Sequence, residues 1–304
     1  MKIRLEAPPG FSFRRTLLSH GWCLLHPFEA GRNADSLATT VPLPGGGAMR
    51  ILLRPEKDAV VLEAPGSPPA AVRRHLEAAA RRILNLDLDL APFHAACAAT
   101  EGLEWIAKAG AGRLLRAPTL FEDVVKLVLT TNCSWSLTTR MTRAVVDLWG
   151  EPAPGGSRAF PTPAALAGAG EAALRERAKT GYRAPFLASL ARKVSGGEVD
   201  PESWQRDGRD LAALRKEMLS LPGVGPYVAE NLLKMLGRPD GLALDSWMRG
   251  QYAKLHHGGR AVSDRTIARR YARMGKWAGL AAWLDLTREW LDGDSPSAAW
   301  ESLA

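Results

Sequence analysis

The stretch Leu219–Leu236, LSLPGVGPYVAENLLKML, constrains the fold of this chain more than any other. Pro222 ends the helical pattern before it, because a proline disfavours helical backbone angles in the preceding residue. Gly223 and Gly225 can adopt positive φ angles and leave the backbone bare. The sequence therefore predicts two helices that meet through a tight turn at residues 221–226.

This turn predicts a phosphate site. Pro226 suits the first position of the second helix, where its missing amide hydrogen has no consequence. Gly223, Val224 and Gly225 would then present backbone amides beside a helix N-terminus, an arrangement that binds anions. Such contacts position a DNA duplex without reading its sequence. An ordinary turn in a helical bundle is the alternative, and the full LPGVG string in a basic chain favours DNA.

The composition is that of a basic, folded protein. The 304 residues are 46% apolar, enough to bury a core. Lys and Arg number 40 against 32 Asp and Glu, for a formal net charge of +8, which favours a polyanionic partner such as nucleic acid. An arginine-rich surface without such a partner is the alternative. No signal-peptide core and no apolar run of membrane length occurs, so we expect a soluble, cytoplasmic protein, nucleoid-associated if bacterial.

The cysteines predict neither a metal cluster nor disulfides. Cys23, Cys97 and Cys133 lie far apart and form no C-x-x-C pair, so thiolates cannot build a zinc site or a four-cysteine iron–sulfur cluster. A sparse, odd count is typical of a reducing compartment. The six histidines form no spaced pair with carboxylates. We therefore expect no catalytic metal and no iron–sulfur cluster.

The first 68 residues differ in pattern from the rest. Two apolar runs of strand length, AMRILLRP and AVVLEAP, are separated by EKD and predict a β-hairpin. The segments FSFRRTLLSHGWCLLHPFE and VPLPGGGAM are interpreted as further short strands and turns. The sequence thus predicts an α+β fold, with a small antiparallel β-rich domain at 1–68 and an all-helical body at 69–304.

The helical body shows the 3.6-residue apolar period. In PPAAVRRHLEAAARRILNL one face carries Val72, Leu76, Ala79 and Ile83. Two helices follow in TLFEDVVKLVLTTNCSWSLTTRMTRAVVDLWG, separated by the polar cluster at 130–134.

Local signals mark where several of these helices begin and end. Thr119 is predicted to cap the first helix of that pair, with Glu122 as its capping-box partner. TPAALAGAGEAALRERA predicts two short helices, and YRAPFLASLARKVSGG another that ends at Gly196–Gly197.

These motifs resemble a known family. LPGVGPYVAENLL followed by GLALDSWMRG is similar to the helix–hairpin–helix and catalytic aspartate of the DNA glycosylase superfamily. Two further segments resemble the 8-oxoguanine and 3-methyladenine type II branches of this superfamily: FEDVVKLVLTTNCSW, and the run from AFPTPAALAGAG to GYRAPFLASLARKVSGG. The resemblance covers about 119–250. It implies two helical subdomains flanking an active-site cleft, and a monomer acting on double-stranded DNA with a damaged base.

Asp245 stands between an apolar triplet and a helical pattern in LALDSWMRG. Aspartate is a favoured N-cap, so capping is one interpretation, compatible with a second role. The resemblance implies that Asp245 is catalytic. Loss of a base gives the sugar oxocarbenium character, which a carboxylate can stabilise while it orients or deprotonates water.

Tyr227 bears on the reaction type. Bifunctional members of the superfamily carry a lysine in the second hairpin helix, and its amine forms a Schiff base that permits strand cleavage. At the matching position this chain has Tyr227, whose phenol cannot form an imine. Lys234 lies seven residues on, roughly 10 Å along the helix axis, and is not expected to replace it. The sequence predicts a monofunctional enzyme that uses water. The Tyr227 ring either packs in the core or stacks on the base.

Three residues are expected to contact the opened duplex. Asn132 in TTNCSW would hydrogen-bond base edges, Tyr182 in GYRA would unstack bases, and Arg183 would donate to the orphan base. A loop cap for Asn132 and interhelical packing for Tyr182 are the alternatives. The 8-oxoguanine branch has an arginine where this chain has Leu137, so a strict 8-oxoguanine:cytosine preference is in doubt.

Aromatic residues beside the motifs predict the base pocket. Trp135 and Trp247 would line it with Tyr227 and Asn231, and an electron-rich face would favour a cationic alkylated purine. Three other tryptophans recur at spacings of six and seven and are interpreted as core: Trp277, Trp283 and Trp290.

The resemblance also implies a structural Na⁺ or K⁺ held by hairpin carbonyls. In this chain those carbonyls belong to Leu219, Leu221 and Val224. The leading hypothesis is therefore a monofunctional DNA glycosylase that removes an alkylated purine. An oxidised-purine glycosylase and a non-catalytic DNA-binding protein are the alternatives.

Overall fold

A five-stranded antiparallel sheet forms the N-terminal part of the protein. The computed structural model describes residues 1–206 and 208–292. The strand order is β1-β5-β4-β3-β2. The strands are β1 Lys2–Glu6, β2 Glu29–Ala30, β3 Leu37–Pro42, β4 Ala48–Glu56 and β5 Ala59–Glu63.

The hairpin predicted from AMRILLRP and AVVLEAP is confirmed. Strands β4 and β5 pair antiparallel with Leu53 opposite Leu62. Lys57 and Asp58 connect them, and Asp58 has φ +54°, a left-handed angle that aspartate tolerates in tight turns. Leu53 and Leu62 are both buried, because alternate residues of each strand face the core.

The segment FSFRRTLLSHGWCLLHPFE is not a set of strands, so that prediction was wrong. It forms helix α1, Phe13–Leu17, and a 3₁₀ turn, Gly21–Leu24. The Ser12 hydroxyl accepts a hydrogen bond from the Arg15 amide at 3.3 Å and caps α1. Apolar side chains of this segment pack against the helical body, which sets its conformation.

Helices and the loops that join them make up the rest of the described chain, and the predicted α+β class is confirmed. Short 3₁₀ turns occur at Gly181–Arg183, Pro201–Gln205 and Ala272–Trp277. The α-helices after α1 are α2 Ala70–Ile83, α3 Ala91–Ala98, α4 Glu104–Ala109, α5 Leu120–Thr130, α6 Trp135–Trp149, α7 Pro163–Glu176, α8 Ala184–Ser195, α9 Leu211–Leu219, α10 Pro226–Met235, α11 Ser246–His256, α12 Asp264–Tyr271, α13 Ala278–Leu286 and α14 Arg288–Asp292.

Helix α5 begins as predicted, with one difference. The Thr119 hydroxyl accepts the Glu122 amide at 3.2 Å, so the cap is confirmed. Glu122 does not complete a capping box. Its carboxylate is buried and pairs with Lys126 at 2.5 Å. Burial raises the pKa of Glu122, and the Lys126 ammonium opposes that rise. The buried cation one turn on attracts the carboxylate away from the helix terminus.

Helices α5 to α8 follow the sequence patterns closely. The polar loop between α5 and α6 lies where the sequence indicates, and Gly170, with φ +73°, kinks α7 into two pieces as predicted. Helix α8 ends at Gly196. One contiguous apolar core extends from the sheet through these helices to α13 and α14. Within the described ranges no helix is long and apolar enough to span a bilayer.

Candidate active site

The predicted hairpin joins α9 to α10. Helix α9 ends at Leu219 and α10 begins with Pro226 in its first turn. Gly223 has φ +78°, and a Cβ added there would lie 2.8 Å from the Cβ of Phe186 on α8. Both the backbone angle and the close packing require a glycine at this position.

Gly225 differs from Gly223. Its φ is −89°, so it does not use the positive angle that is open to a glycine. Gly225 precedes α10 as its N-cap, is exposed, and has no atom within 4 Å of where a Cβ would lie. The Val224 side chain is buried, and its amide donates to the Leu221 carbonyl at 3.1 Å. Bare backbone next to a helix N-terminus therefore faces open space at Gly225.

The proposed cation ligands gather at the same turn. The Leu221 carbonyl accepts one hydrogen bond, from Val224, which leaves its second lone pair for another partner. Leu219 ends α9 and Val224 ends the turn. The carbonyl donors present suit a hard monovalent cation, and binding of Na⁺ or K⁺ by Leu219, Leu221 and Val224 stays a prediction.

Asp245 is the N-cap of α11. Its Oδ1 accepts a hydrogen bond from the Met248 amide at 2.7 Å. Ala243, two residues earlier, has φ +54° and turns the chain into this cap. The capping interpretation is confirmed. The same helix N-terminus stabilises negative charge on the carboxylate.

A cavity of about 220 Å³ opens beside Asp245. The four residues predicted to line a base pocket all border it, along with residues that the sequence did not suggest. The predicted ones are Tyr227, Asn231, Trp135 and Trp247, and the additional ones include His20, Gly21, Lys234, Trp283 and Trp290. The structure thus brings the predicted set together around one space. Contact with a base stays a prediction.

Three tryptophans pack on one another at this cavity. Trp247 lies 4.8 Å from Trp290 and 6.1 Å from Trp283 between ring centroids. Trp290 is buried, as the core assignment predicts, and Trp283 packs against the core, but α13 and α14 also bring both rings to α11 and the cavity. The Trp283 indole N–H donates to the Ser19 carbonyl at 2.8 Å and fixes that ring. Trp277 does lie in the core, 5.4 Å from Phe93.

The N-terminal segment forms another wall. A Cβ at Gly21 would clash with the Trp135 ring, so the ring packs on bare backbone. His20 is buried, and its Nε2 lies 2.7 Å from the Leu115 carbonyl. Burial lowers the pKa of His20 to about 4. His20 is therefore neutral near pH 7, with the ring proton on Nε2. Sequence reasoning missed this wall because it assigned the segment to the sheet.

Tyr227 lies in the first turn of α10. Burial raises its pKa to about 12, and the Asp245 charge adds to the rise. The phenol is therefore protonated near pH 7. A hydrogen bond with Thr130 joins it to the end of α5.

Lys234 also lines the cavity, although the sequence did not suggest it as a pocket residue. The expectation that it does not replace the missing lysine as nucleophile stays a prediction. Tyr227, Asn231 and Lys234 are spaced i, i+4 and i+7, so they share one helix face. That spacing was the available signal. Lys234 is only 3% exposed. Its Nζ lies 3.3 Å from Asn231 Oδ1 and 5.2 Å from the Trp283 ring centroid. Burial lowers the pKa of Lys234 to about 8, against the opposing effects of Asp245 and Glu230.

The loops expected to contact DNA meet each other. Asn132 is exposed with φ +46°, and its Nδ2 donates to the Tyr182 hydroxyl at 3.2 Å. Tyr182 is 48% exposed. Arg183 is 4% exposed, donates to the Thr131 carbonyl and lies 4.5 Å from the Tyr182 ring centroid. Asn132 and Tyr182 are thus exposed, whereas Arg183 is buried and bonded within the protein, and its contact with an orphan base stays a prediction.

A helix–hairpin–helix, followed by an N-cap aspartate at an aromatic cavity, defines a helix–hairpin–helix DNA glycosylase fold. Residues 125–276 match the model of the HhH-GPD superfamily base excision DNA repair protein, and the chain belongs to this family. In the described ranges no group of three or more His, Cys, Asp or Glu residues could hold a metal.

Individual relatives differ in their activities. A probable N-glycosylase/DNA lyase from Methanothermobacter thermautotrophicus is 28% identical over 194 residues, 55% of this chain and 61% of that relative. This chain therefore matches about three fifths of the relative's length.

Two solved structures share the fold. The 3-methyladenine DNA glycosylase from Archaeoglobus fulgidus has a TM-score of 0.71 at 18% identity, covering 93% of this chain and 98% of that one. The 8-oxoguanine glycosylase/lyase from Clostridium acetobutylicum has a TM-score of 0.72 at 16% identity, covering 94% and 95%.

Proposed function

We propose that this protein is a monofunctional DNA glycosylase of base excision repair. It flips a damaged purine out of double-stranded DNA and hydrolyses its N-glycosidic bond, leaving an abasic site. The observation that carries this proposal is the Asp245 carboxylate, held at the N-terminus of α11 beside the aromatic cavity. A neutral residue could cap α11 equally well, so a protein that only bound DNA would have no need of a negative charge near phosphates.

Asp245 acts on the sugar. As the base departs, the sugar acquires oxocarbenium character, and a fixed carboxylate stabilises that charge. Oδ1 is engaged by the Met248 amide, so Oδ2 is the oxygen left to face the cation or to orient the attacking water. The Met248 hydrogen bond also holds the carboxylate in one orientation, which reduces the reorganisation required during the reaction.

Water, rather than an amine, is the nucleophile in this proposal. Tyr227 occupies the position of the lysine in bifunctional enzymes, and its protonated phenol forms no imine. Lys234 is the amine nearest in the same cavity, but it lies roughly 10 Å further along α10. It therefore faces the base rather than the sugar carbon. The lyase named for the relative from Methanothermobacter thermautotrophicus makes borohydride trapping the decisive assay. Absence of a covalent adduct supports hydrolysis, and an adduct lost in Lys234→Met would assign the lyase to Lys234.

The hairpin and the rim loops bind the duplex in this proposal. Gly223 and Gly225 offer bare backbone to a phosphate at the N-terminus of α10. Asn132 and Tyr182, joined by a hydrogen bond, enter the duplex where the base has left the stack. We propose a monomeric enzyme of the cytoplasm or nucleoid that needs no catalytic cofactor, with a structural Na⁺ or K⁺ at the hairpin.

Two classes of damaged purine fit an aromatic cavity. An alkylated purine is supported by the packed rings of Trp247, Trp283 and Trp290, whose faces attract cations. A neutral oxidised purine is supported by Lys234, whose ammonium already lies against Trp283. The contribution of Lys234 decides between them.

A panel of duplexes, each with one defined lesion, tests the proposed function. The wild type should leave abasic sites in at least one duplex, and Asp245→Asn should not at a comparable rate. Tight DNA binding without base release from any duplex would instead indicate a non-catalytic binding protein.

A further inference from the structure

We propose that Lys234 selects and activates the base: its ammonium donates a hydrogen bond to a carbonyl oxygen of a neutral damaged purine and disfavours cationic alkylated purines. This inference rests on the proposed glycosylase function and names its substrate class. Oxidised or deaminated purines, such as 8-oxoguanine and hypoxanthine, have the required chemistry.

The Lys234 ammonium has hydrogen-bonding capacity to spare. An ammonium has three N–H donors. Within the described chain, Lys234 has one hydrogen bond, a 3.3 Å contact with Asn231 Oδ1, and one aromatic neighbour, Trp283. The Asn231 side chain is itself held by its own bond to the Tyr227 carbonyl at 2.9 Å. A buried cation with so few partners is unfavourable unless another acceptor completes its shell.

The second buried lysine shows the contrast. Lys126 pairs with the Glu122 carboxylate at 2.5 Å, lies 3.5 Å from the Leu25 carbonyl, and packs over the Phe28 ring. It is satisfied by the protein and borders no part of the cavity. Lys234 lacks a carboxylate at ion-pair distance in the described ranges and faces the space that a base would fill. Its missing acceptor is therefore supplied by the ligand.

The charges of the cavity match the reaction of a neutral base. Among its lining residues Lys234 is the cation and Asp245 the anion, while His20 and Tyr227 are neutral near pH 7. When the C1′–N9 bond breaks, its electron pair goes to the purine and positive charge develops on the sugar. Asp245 stabilises the sugar, and Lys234 stabilises the negative charge on the purine oxygen. Water then bonds to C1′ and loses a proton to Asp245 or solvent, and the purine takes up a proton.

A cationic alkylated purine gains nothing from this arrangement. It departs as a neutral molecule, so it needs no donor to stabilise the leaving base. Its positive charge would instead lie near the Lys234 ammonium, on a Trp283 face that the ammonium already uses. The aromatic lining therefore stacks a neutral base, and the expectation of an alkylated purine loses its physical support.

Single-turnover base release tests this inference. The wild type and the Lys234→Met and Lys234→Gln variants are each incubated with duplexes containing 8-oxoguanine, hypoxanthine or cationic 7-methylguanine. Asp245→Asn is the control for loss of chemistry. We expect the wild type to favour a neutral purine. Lys234→Met should lower that rate by about 100-fold, the scale of one well-placed proton donor, without lowering 7-methylguanine release. Lys234→Gln, which keeps a neutral donor, should recover part of the rate.

The outcomes separate the inference from the proposed function. Two results would overturn the role of Lys234: a wild type that prefers 7-methylguanine, or a Lys234→Met variant that releases all bases at unchanged or equally reduced rates. In either case, base release would still support a glycosylase. No release from any duplex by the wild type would overturn both. Thermal melting of each variant shows whether the fold is retained, and the Gln variant keeps the test valid if the Met variant fails to fold.

Discussion

Lys234 and Asp245 line one cavity with opposite charges, Lys234 from the last turns of α10 and Asp245 from the cap of α11. Burial lowers the pKa of Lys234 to about 8, and the Asp245 carboxylate limits that decrease. The cavity therefore carries one cationic and one anionic side chain, from two consecutive helices.

The protonation of Lys234 predicts how the rate depends on pH. The ammonium is the active form, so release of a neutral purine should fall as pH rises through about 8. His20, with a pKa of about 4, and Tyr227, with a pKa of about 12, do not titrate in this window. Single-turnover rates from pH 6 to 9.5 measure the decline, which should disappear in Lys234→Met.

Cys133 needs its own control in that experiment. It also lines the cavity and carries a thiol. Asp245 and Glu230 are the carboxylates that act on Lys234. A Cys133→Ser variant that kept the decline would assign it to Lys234, whereas a flat profile in that variant would assign it to the thiol.

The same lysine predicts a trade between stability and activity. Replacing a buried, poorly paired cation with an apolar residue is often stabilising. The free energy of unfolding of Lys234→Met should therefore be roughly 1 to 3 kcal/mol higher than that of the wild type near pH 7. The pKa of Lys234 is about 8 in the folded protein, below its value in the unfolded chain. The destabilisation caused by its buried charge is therefore fully present below pH 8. It is relieved as pH rises from 8 towards 10.5, and the difference from wild type should narrow there. Chemical denaturation at pH 7 and 10 measures both.

Lys126→Met is the matched control, since it leaves Glu122 buried and unpaired. It should be destabilised by about 3 to 5 kcal/mol. Equal destabilisation of the two variants would mean that Lys234 is a structural residue.

The wall formed by Gly21 predicts a further effect. A methyl group in Gly21→Ala would displace the Trp135 ring, since the added Cβ has no room beside it. We expect base release to fall about tenfold, in line with the sensitivity of rates to misplacement near a site. Gly168→Ala on α7 is the control, because no atom lies within 4 Å of its added Cβ and alanine favours a helix. Similar loss of activity in both variants would mean that displacement of the Trp135 ring does not explain the slower base release.

The two hairpin glycines predict separable effects. Gly223→Ala combines a left-handed φ with contact on Phe186, so it should lower stability by roughly 1 to 3 kcal/mol and weaken duplex binding. Gly225→Ala has room and an ordinary φ, so it should keep its stability yet bind DNA more weakly, because a methyl group enters the path of the phosphate. Melting temperature and fluorescence anisotropy with abasic DNA measure the two. Unchanged affinity in Gly225→Ala would place the phosphate elsewhere.

Local signals predicted most of the fold. The LPGVG turn, the Thr119 cap and the hairpin at Lys57–Asp58 are each decided by a few neighbouring residues, so sequence patterns identify them. Glu122 shows the limit of such signals. Its capping-box position was right in spacing, but a buried lysine one turn away determined where the carboxylate lies.

The site depended more on contacts between distant segments. Asp245 and Tyr227 followed from motifs, whereas Trp283 and Trp290 reach the cavity only because α13 and α14 fold back onto α11. His20 and Gly21 lie more than 200 residues from Asp245 in sequence, so no local pattern relates them. The sequence weighs Lys234 only as a nucleophile, although its i+7 spacing from Tyr227 places it on the same helix face.

Base release by Asp245→Asn tests the central claim most directly. Asparagine is as good an N-cap as aspartate, so α11 should keep its cap and the variant its melting temperature. Its side chain lacks the negative charge that stabilises the sugar cation, so abasic-site formation on the preferred lesion duplex should fall by about 100- to 1,000-fold in a single turnover. A folded Asp245→Asn variant that released the base at the wild-type rate would contradict the account.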